Sequence, residues 1–268
     1  MKLVAENLSY AYDGGEALWS NVSFEVNPGD IFSIMGANGC GKSTLIRCLI
    51  GFLKPHTGSV RLVEDDGTTY DVLTNPNEFT QNIGYVPQMQ NTANIFSVRD
   101  YVVMGRAPHM GLFRKPSEKD YALTDEILKE MHIYELKDRF FNTLSGGQQR
   151  QAVIARAIVQ EPKIVILDEP ANHLDYGNQY RVVEMIQKLA ERGIAVILTT
   201  HAPDHALHFN KTVGIMIKHK FIVGKADEVI TEKLLMDLYN MHVRIIELPE
   251  MNRKICVAEH SRKEGCCL

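Results

Sequence analysis

No stretch of this 268-residue chain approaches the ~20 consecutive apolar residues a membrane-spanning helix needs. Apolar runs such as Ile164–Leu167 and Ile194–Leu198 are only strand-sized. Cysteine is scarce: Cys40, Cys48, Cys256, Cys266 and Cys267 form an odd set without repeating spacing. That pattern excludes a disulfide framework and implies free thiols in a reducing compartment. An excess of basic residues is missing as well. Lys+Arg of 29 against Asp+Glu of 33 leaves a net charge of −4, without the footprint of a general nucleic-acid binder. The first residues, Met1-Lys2-Leu3-Val4-Ala5-Glu6, turn polar at once and offer no apolar core for a secretion signal. Neither an internal repeat nor a low-complexity tract is visible. The composition that remains, 45% hydrophobic and 23% charged, is that of a globular protein, expected in the cytosol.

Patterning divides the chain in three. In the first third Val22, Phe24 and Val26 alternate with polar residues, Pro28-Gly29-Asp30 makes a turn, and Ile31–Met35 reads as a strand ending at a glycine cluster. Ser43–Ile50 reads as a helix stopped by Gly51, followed by strand-like text at Ser59–Leu62 and Ile83–Val86. Residues of about 92–158 read as helical, with Ser97-Val98-Arg99-Asp100 and Ser117-Glu118-Lys119-Asp120 as capping boxes. The last third alternates again. Ile164–Leu167 has the unbroken apolar character of a strand buried on both faces, a helix over about 176–192 turns Val182, Val183, Ile186 and Leu189 inward, and Ile194–Leu198 is the next strand. Such alternation predicts a mostly parallel α/β sheet with right-handed crossovers. From Asn252 to Leu268 the chain is polar and reads as a frayed tail.

Three motifs carry chemistry. Gly36-Ala37-Asn38-Gly39-Cys40-Gly41-Lys42-Ser43-Thr44 matches the P-loop pattern and sits between a predicted strand and a predicted helix. Glycines let the backbone turn its N–H groups onto phosphate oxygens, and the helix start adds a favourable dipole. Lys42 is then expected on the β- and γ-phosphates of a nucleotide, and Ser43 on Mg²⁺. Asp168 and Glu169 end the apolar run Ile164–Leu167, at the carboxyl end of a buried strand, where α/β sheets place their ligand sites. Asp168 suits the metal shell and Glu169 a general base for water, although adjacent acids after a strand also serve as caps or turns. The third motif is Leu144-Ser145-Gly146-Gly147-Gln148-Gln149-Arg150. Ser145 with Gln148 fits a plain capping box, yet two glycines in a first helical turn cost roughly 1 kcal/mol each against alanine. Close approach of an anion to their N–H groups explains that cost.

The order and spacing of these motifs over about residues 1–235 resemble the ATP-binding cassette (ABC) ATPases. The resemblance implies a P-loop NTPase (RecA-like) α/β core, an N-terminal antiparallel β subdomain and an inserted α-helical subdomain at about 92–158. The cassette spans 1–240, leaving 241–268 as a C-terminal extension. It further implies that Tyr12, or its rival Tyr10, stacks on adenine, and that Gln88 is the glutamine linking the Mg²⁺ site to the helical lobe. Asp175, in Asn172-His173-Leu174-Asp175, resembles the family's D-loop aspartate, and His201 its switch histidine. Two copies are implied, each ATP lying between one P-loop and the partner's Ser145-Gly146-Gly147. A kinase or GTPase reading of the P-loop leaves Leu144–Gln148 unexplained.

Within the family, Val103–His109, Pro116 and Asp120 resemble importer ATPases for iron–siderophore, haem and cobalamin, with molybdate relatives. Such a subunit is expected at the cytoplasmic face of the plasma (inner) membrane. It docks on a polytopic permease fed by an extracytoplasmic substrate-binding protein, and no nucleic acid takes part. The competing reading is a soluble cassette ATPase acting in translation or nucleic-acid repair. The helical spacing of His201, His205 and His208 suits zinc, but no acid or thiol partner is evident. Cys266-Cys267 lacks a lipidation pattern. Cys40, beside Lys42 and a helix start, is expected to favour its thiolate, so that alkylation would block ATP hydrolysis and MgATP would protect.

Overall fold

The computed structural model describes residues 1–88, 95–111, 114–172, 174–251 and 253–259. Alternating side chains in β1 (Lys2–Ala11) and β2 (Ala17–Val26) bury one face each, and with β4 (Thr57–Val63) and β5 (Thr69–Asp71) they make an antiparallel sheet in the order β2-β1-β4-β5. Between them in sequence lie β3 (Ile31–Gly36) and α1 (Lys42–Leu49), which belong to the second layer. Leu3, Leu8, Trp19 and Leu62 from the first sheet meet Phe32, Ile34 and Leu45 in one buried cluster.

The second sheet contains β3, β6 (Ile83–Val86), β7 (Ile164–Leu167), β8 (Ala195–Thr200), β9 (Thr212–Ile217) and β10 (Lys220–Lys225) in the order β10-β9-β3-β8-β7-β6. Its pairings are parallel except for β9 with β10. Every residue of β7 and β8 is buried, as the unbroken apolar runs predict for strands covered on both faces. Each valine, leucine or isoleucine among them contributes roughly 1.5–3 kcal/mol on leaving water.

Helix α2 (Pro76–Asn82) leads into β6, and α3 (Val98–Val103), α4 (Glu118–Glu130) and α5 (Gly146–Ile158) fill the predicted helical segment. Ser117 and Asp120 form the expected reciprocal capping box. Ser97 caps α3 by accepting from the Asp100 N–H, while the Asp100 carboxylate takes the Ser97 hydroxyl at 2.7 Å and not the backbone N–H. Helix α6 (Tyr176–Glu191) turns Val182, Val183, Ile186 and Leu189 inward, and Gly193 at φ +82° ends it.

The C-terminal third departs from the sequence reading. After α7 (Pro203–Phe209), α8 (Ala226–Val229) and α9 (Glu232–Tyr239), strands β11 (Val243–Leu248) and β12 (Arg253–Ala258) pair antiparallel from Val243↔Ala258 to Leu248↔Arg253. Residues 253–258 are therefore a strand and not a frayed tail. The Asp204 carboxylate accepts the Cys256 N–H at 2.8 Å, fastening the hairpin to α7. Cys266 and Cys267 lie outside the described residues.

Candidate active site

Four loops leave the carboxyl ends of neighbouring parallel strands, and together they wall a cleft of about 570 Å³. From β3 come Asn38, Gly39, Gly41, Lys42, Ser43 and Thr44; from β6, Gln88; from β7, Glu169 and Asn172; from β8, His201. Tyr12 and Leu18 close the side nearest the antiparallel sheet.

The phosphate loop is held tightly. Gly41 has φ +102°, and a Cβ there would come within 2.6 Å of Leu18 and 2.9 Å of Trp19 Nε1, so only glycine fits. Gly41 also caps α1, which has neither a side-chain cap nor an acid in its first turn. Its leading N–H groups stay available to an anion. Lys42 is buried, with Nζ donating to the carbonyls of Gly36 (2.9 Å) and Ala37 (3.2 Å) and lying 3.4 Å from Glu169 Oε1. Gly36 is buried and Ala37 half-buried at the root of the loop.

Asp168 and Glu169 diverge. The Asp168 N–H continues the ladder onto Val86 O, and its buried carboxylate accepts the Thr199 hydroxyl at 2.6 Å. Glu169 sits in the left-handed region at φ 45°, a conformation costing on the order of 1–3 kcal/mol for a residue with a side chain. Its N–H is tied to Thr199 Oγ1 at 2.8 Å. Its carboxylate takes Asn172 Nδ2 at 2.9 Å and lies 3.5 Å from His201 Nδ1. An adjacent pair on one strand end thus sends one acid inward and the other into the cleft.

Tyr12 and Tyr10 separate cleanly. Tyr12 is 53% exposed, lines the cleft and shares a 2.9 Å hydrogen bond with Thr44 Oγ1. Tyr10 is absorbed by Trp19 (5.9 Å between rings) and His56 (5.4 Å).

Ser145, Gly146, Gly147, Gln148 and Asp175 are not brought to this cleft. Ser145, Gly147 and Gln148 line a separate cavity with Leu174 and Asn178. Ser145 caps α5 and forms the expected box with Gln148, leaving Gly146 exposed. Gly147 has a second reason to be glycine: a Cβ would meet Asn178 Nδ2 at 2.5 Å. Asn178 cannot simply move aside, because its N–H (2.8 Å) and Nδ2 (2.7 Å) both go to Asp175, the cap of α6. Donation from Asn178 holds the Asp175 carboxyl below its ordinary value. The signature turn, Leu144–Gln148, and the aspartate loop are therefore in contact within one chain. His173 of that loop lies outside the described residues.

The thiolate expected at Cys40 is corrected. Burial, the largest influence, pushes its thiol up, against the lowering by Lys42, and its Sγ lies 3.8 Å from Met216 Sδ. Cys48 and Cys256 are pushed up to about 12. In a Cys266→Ser/Cys267→Ser background, maleimide labelling at neutral pH should be slower than that of a free thiol and still rising near about pH 9. MgATP should protect Cys40; labelling faster than a free thiol would contradict the assignment. His205 is half-buried, beside Thr200 Oγ1 at 3.3 Å, and desolvation holds its pKa down.

Three contributors were missed in the sequence. Thr199 braces both acids, and Asn172 orients Glu169. Buried Arg150 donates to the carbonyls of Pro170 (3.0 Å), Pro87 (2.8 Å) and Asp168 (3.1 Å), joining the signature helix to the β6 and β7 loops. Desolvation lowers its pKa to about 10, so it remains a cation at neutral pH. An arginine on an otherwise apolar helix face was the available signal.

Residues 19–172 match the profile of the ABC transporter family. This chain belongs to that family. The match implies ATP binding and hydrolysis. The chain is 35% identical to the molybdate import ATP-binding protein MolC of Haemophilus influenzae, over 89% of this chain and 88% of that one. It is 33% identical to a Helicobacter pylori protein named for iron chelatin transport, over 92% and 96%. A metal-chelate type ABC transporter solved in an inward-facing conformation superposes with a TM-score of 0.85 at 31% identity, covering 97% of this chain and 98% of that one. No helix among the described residues of this cassette is long and apolar enough to cross a membrane.

Proposed function

We propose that the chain is the ATP-hydrolysing subunit of an importer, acting as a homodimer on a polytopic permease. Its cargo is a metal chelate (iron–siderophore, haem or cobalamin) or molybdate, delivered by an extracytoplasmic binding protein. The observation that carries the dimer is the separation of two half-sites. Lys42, Gln88, Glu169 and His201 line one cleft, whereas Ser145, Gly147 and Gln148 line another, so a second copy completes the pocket. The resemblance to import subunits carries the direction of transport.

In this reading Tyr12 offers its exposed ring to adenine, and the N–H groups of the phosphate loop, from Gly36 to Thr44, with Lys42 Nζ, hold the phosphate oxygens. The α1 start, which lacks a side-chain cap, and the buried Asp168 carboxylate suit a magnesium nucleotide, with Ser43, Asp168 and Gln88 as its protein ligands. Mg²⁺, when bound, neutralises charge on the phosphates. Glu169 accepts the proton of the attacking water, Asn172 fixes the carboxylate, and His201 contacts the terminal phosphate.

Docking has a physical basis. An apolar groove of about 440 Å³ runs between Phe52, Tyr85, Met104 and Pro108, and Phe52 (72%) and Ile95 (75%) are widely exposed. Such a groove suits a short helix of the permease. Affinity purification from detergent-solubilised membranes should recover a polytopic protein with the chain, and Phe52→Asp should reduce that recovery. Recovery from the soluble fraction with ribosomes or nucleic acid, and no membrane protein, would favour the competing reading.

A further inference from the structure

The segment around His201 is held by the C-terminal part of the chain. His201 follows β8, and its ring makes no hydrogen bond among the described residues that meets ordinary geometry; Nδ1 is buried 3.5 Å from Glu169 Oε2. Placement of that ring therefore depends on the main chain around it. On one side the Ala202 N–H donates to Thr200 Oγ1 at 3.0 Å. On the other, the His201 carbonyl accepts the hydroxyl of Tyr239 at 2.7 Å. Tyr239 is the last residue of α9, its ring packed in the cluster that includes Met35, Ala206, Leu235 and Val243. Burial pushes its phenol up to about 12, which keeps the proton it donates. The hairpin adds a second clasp three residues on, where Cys256 N–H meets Asp204.

We propose that α9 and the β11–β12 hairpin form a bracket for the switch segment, with Tyr239 as a positioning residue for His201. The inference rests on the proposed ATP-hydrolysing site. Met35 precedes the phosphate loop and shares the cluster with Tyr239, so the bracket also bears on the root of that loop. Loss of one neutral hydrogen bond misplaces a ring without emptying the nucleotide site.

Tyr239→Phe keeps the ring and its packing and deletes only the donor. In the full chain this variant should lower kcat for ATP hydrolysis by about 3- to 10-fold with KM for ATP within about twofold. The His201 imidazole correlations in long-range ¹H–¹⁵N spectra, assigned with His201→Gln, should shift and broaden, while those of His132 stay in place. The proposal is overturned by a kcat within about twofold of the parent, by a loss carried by KM, or by unmoved His201 signals. A parent chain without ATPase activity would instead overturn the proposed function, and the imidazole signals would still judge Tyr239.

Discussion

Glu169→Gln should abolish turnover and preserve binding: kcat for ATP hydrolysis falls by about 10²–10⁴-fold while a fluorescent ATP analogue still binds. The substitution is isosteric, and an amide oxygen still accepts the 2.9 Å bond from Asn172. What disappears is the capacity to take a proton. The backbone is unaffected in principle, since φ 45° is maintained by Thr199 and not by the carboxylate. Lys42 also loses its carboxylate neighbour at 3.4 Å, which leaves more of its charge for phosphate. Phosphate release at more than about one tenth of the parental rate would remove Glu169 from the role of base.

Gly147→Val should cost about 10²–10³ in kcat, the penalty for losing a preorganised donor to developing phosphate charge, with ATP affinity of the isolated chain unchanged. Affinity is spared because no residue of the signature turn lines the chain's own nucleotide cleft. Two routes lead to the loss. The new side chain screens the N–H groups of α5 from a partner's nucleotide, and its Cβ, 2.5 Å from Asn178 Nδ2, drives Asn178 off Asp175. Asn178→Ala separates them, because it breaks the link to Asp175 and leaves the glycine intact. If Asn178→Ala turns over near the parental rate while Gly147→Val does not, the loss lies in the phosphate contact. A Gly147→Val chain that hydrolyses ATP at the parental rate contradicts the role of the turn altogether.

The nucleotide half-site was legible wherever a local pattern coincided with a sheet position. Gly36–Thr44 lay between an apolar strand and a helix, and Asp168-Glu169 and His201 came after apolar runs, so their placement at the carboxyl end of the sheet follows from parallel topology. Tyr10 and Tyr12 were indistinguishable because both stand at the end of one strand-like run; in the structure Tyr10 packs against Trp19 and His56 while Tyr12 lines the cleft. Cys40 misled for the opposite reason. Its cationic neighbour is two residues away, whereas Met216, part of its burial, arrives from 176 residues further on. The strand at Arg253–Ala258 was passed over although Ile255–Ala258 is a four-residue apolar run, because none of its residues is fully buried and its tie to α7, through Asp204, comes from a distant part of the chain. Arg150 was missed because its three carbonyl partners belong to other loops, far from it in sequence.

The central claim is that hydrolysis requires two copies, each completing the other's phosphate pocket. The direct test is the ATPase rate per chain measured against chain concentration, with sedimentation followed in the same samples. The account predicts a specific rate that climbs with concentration and tracks the dimeric fraction. A constant, full rate in samples that sediment wholly as monomers would contradict it.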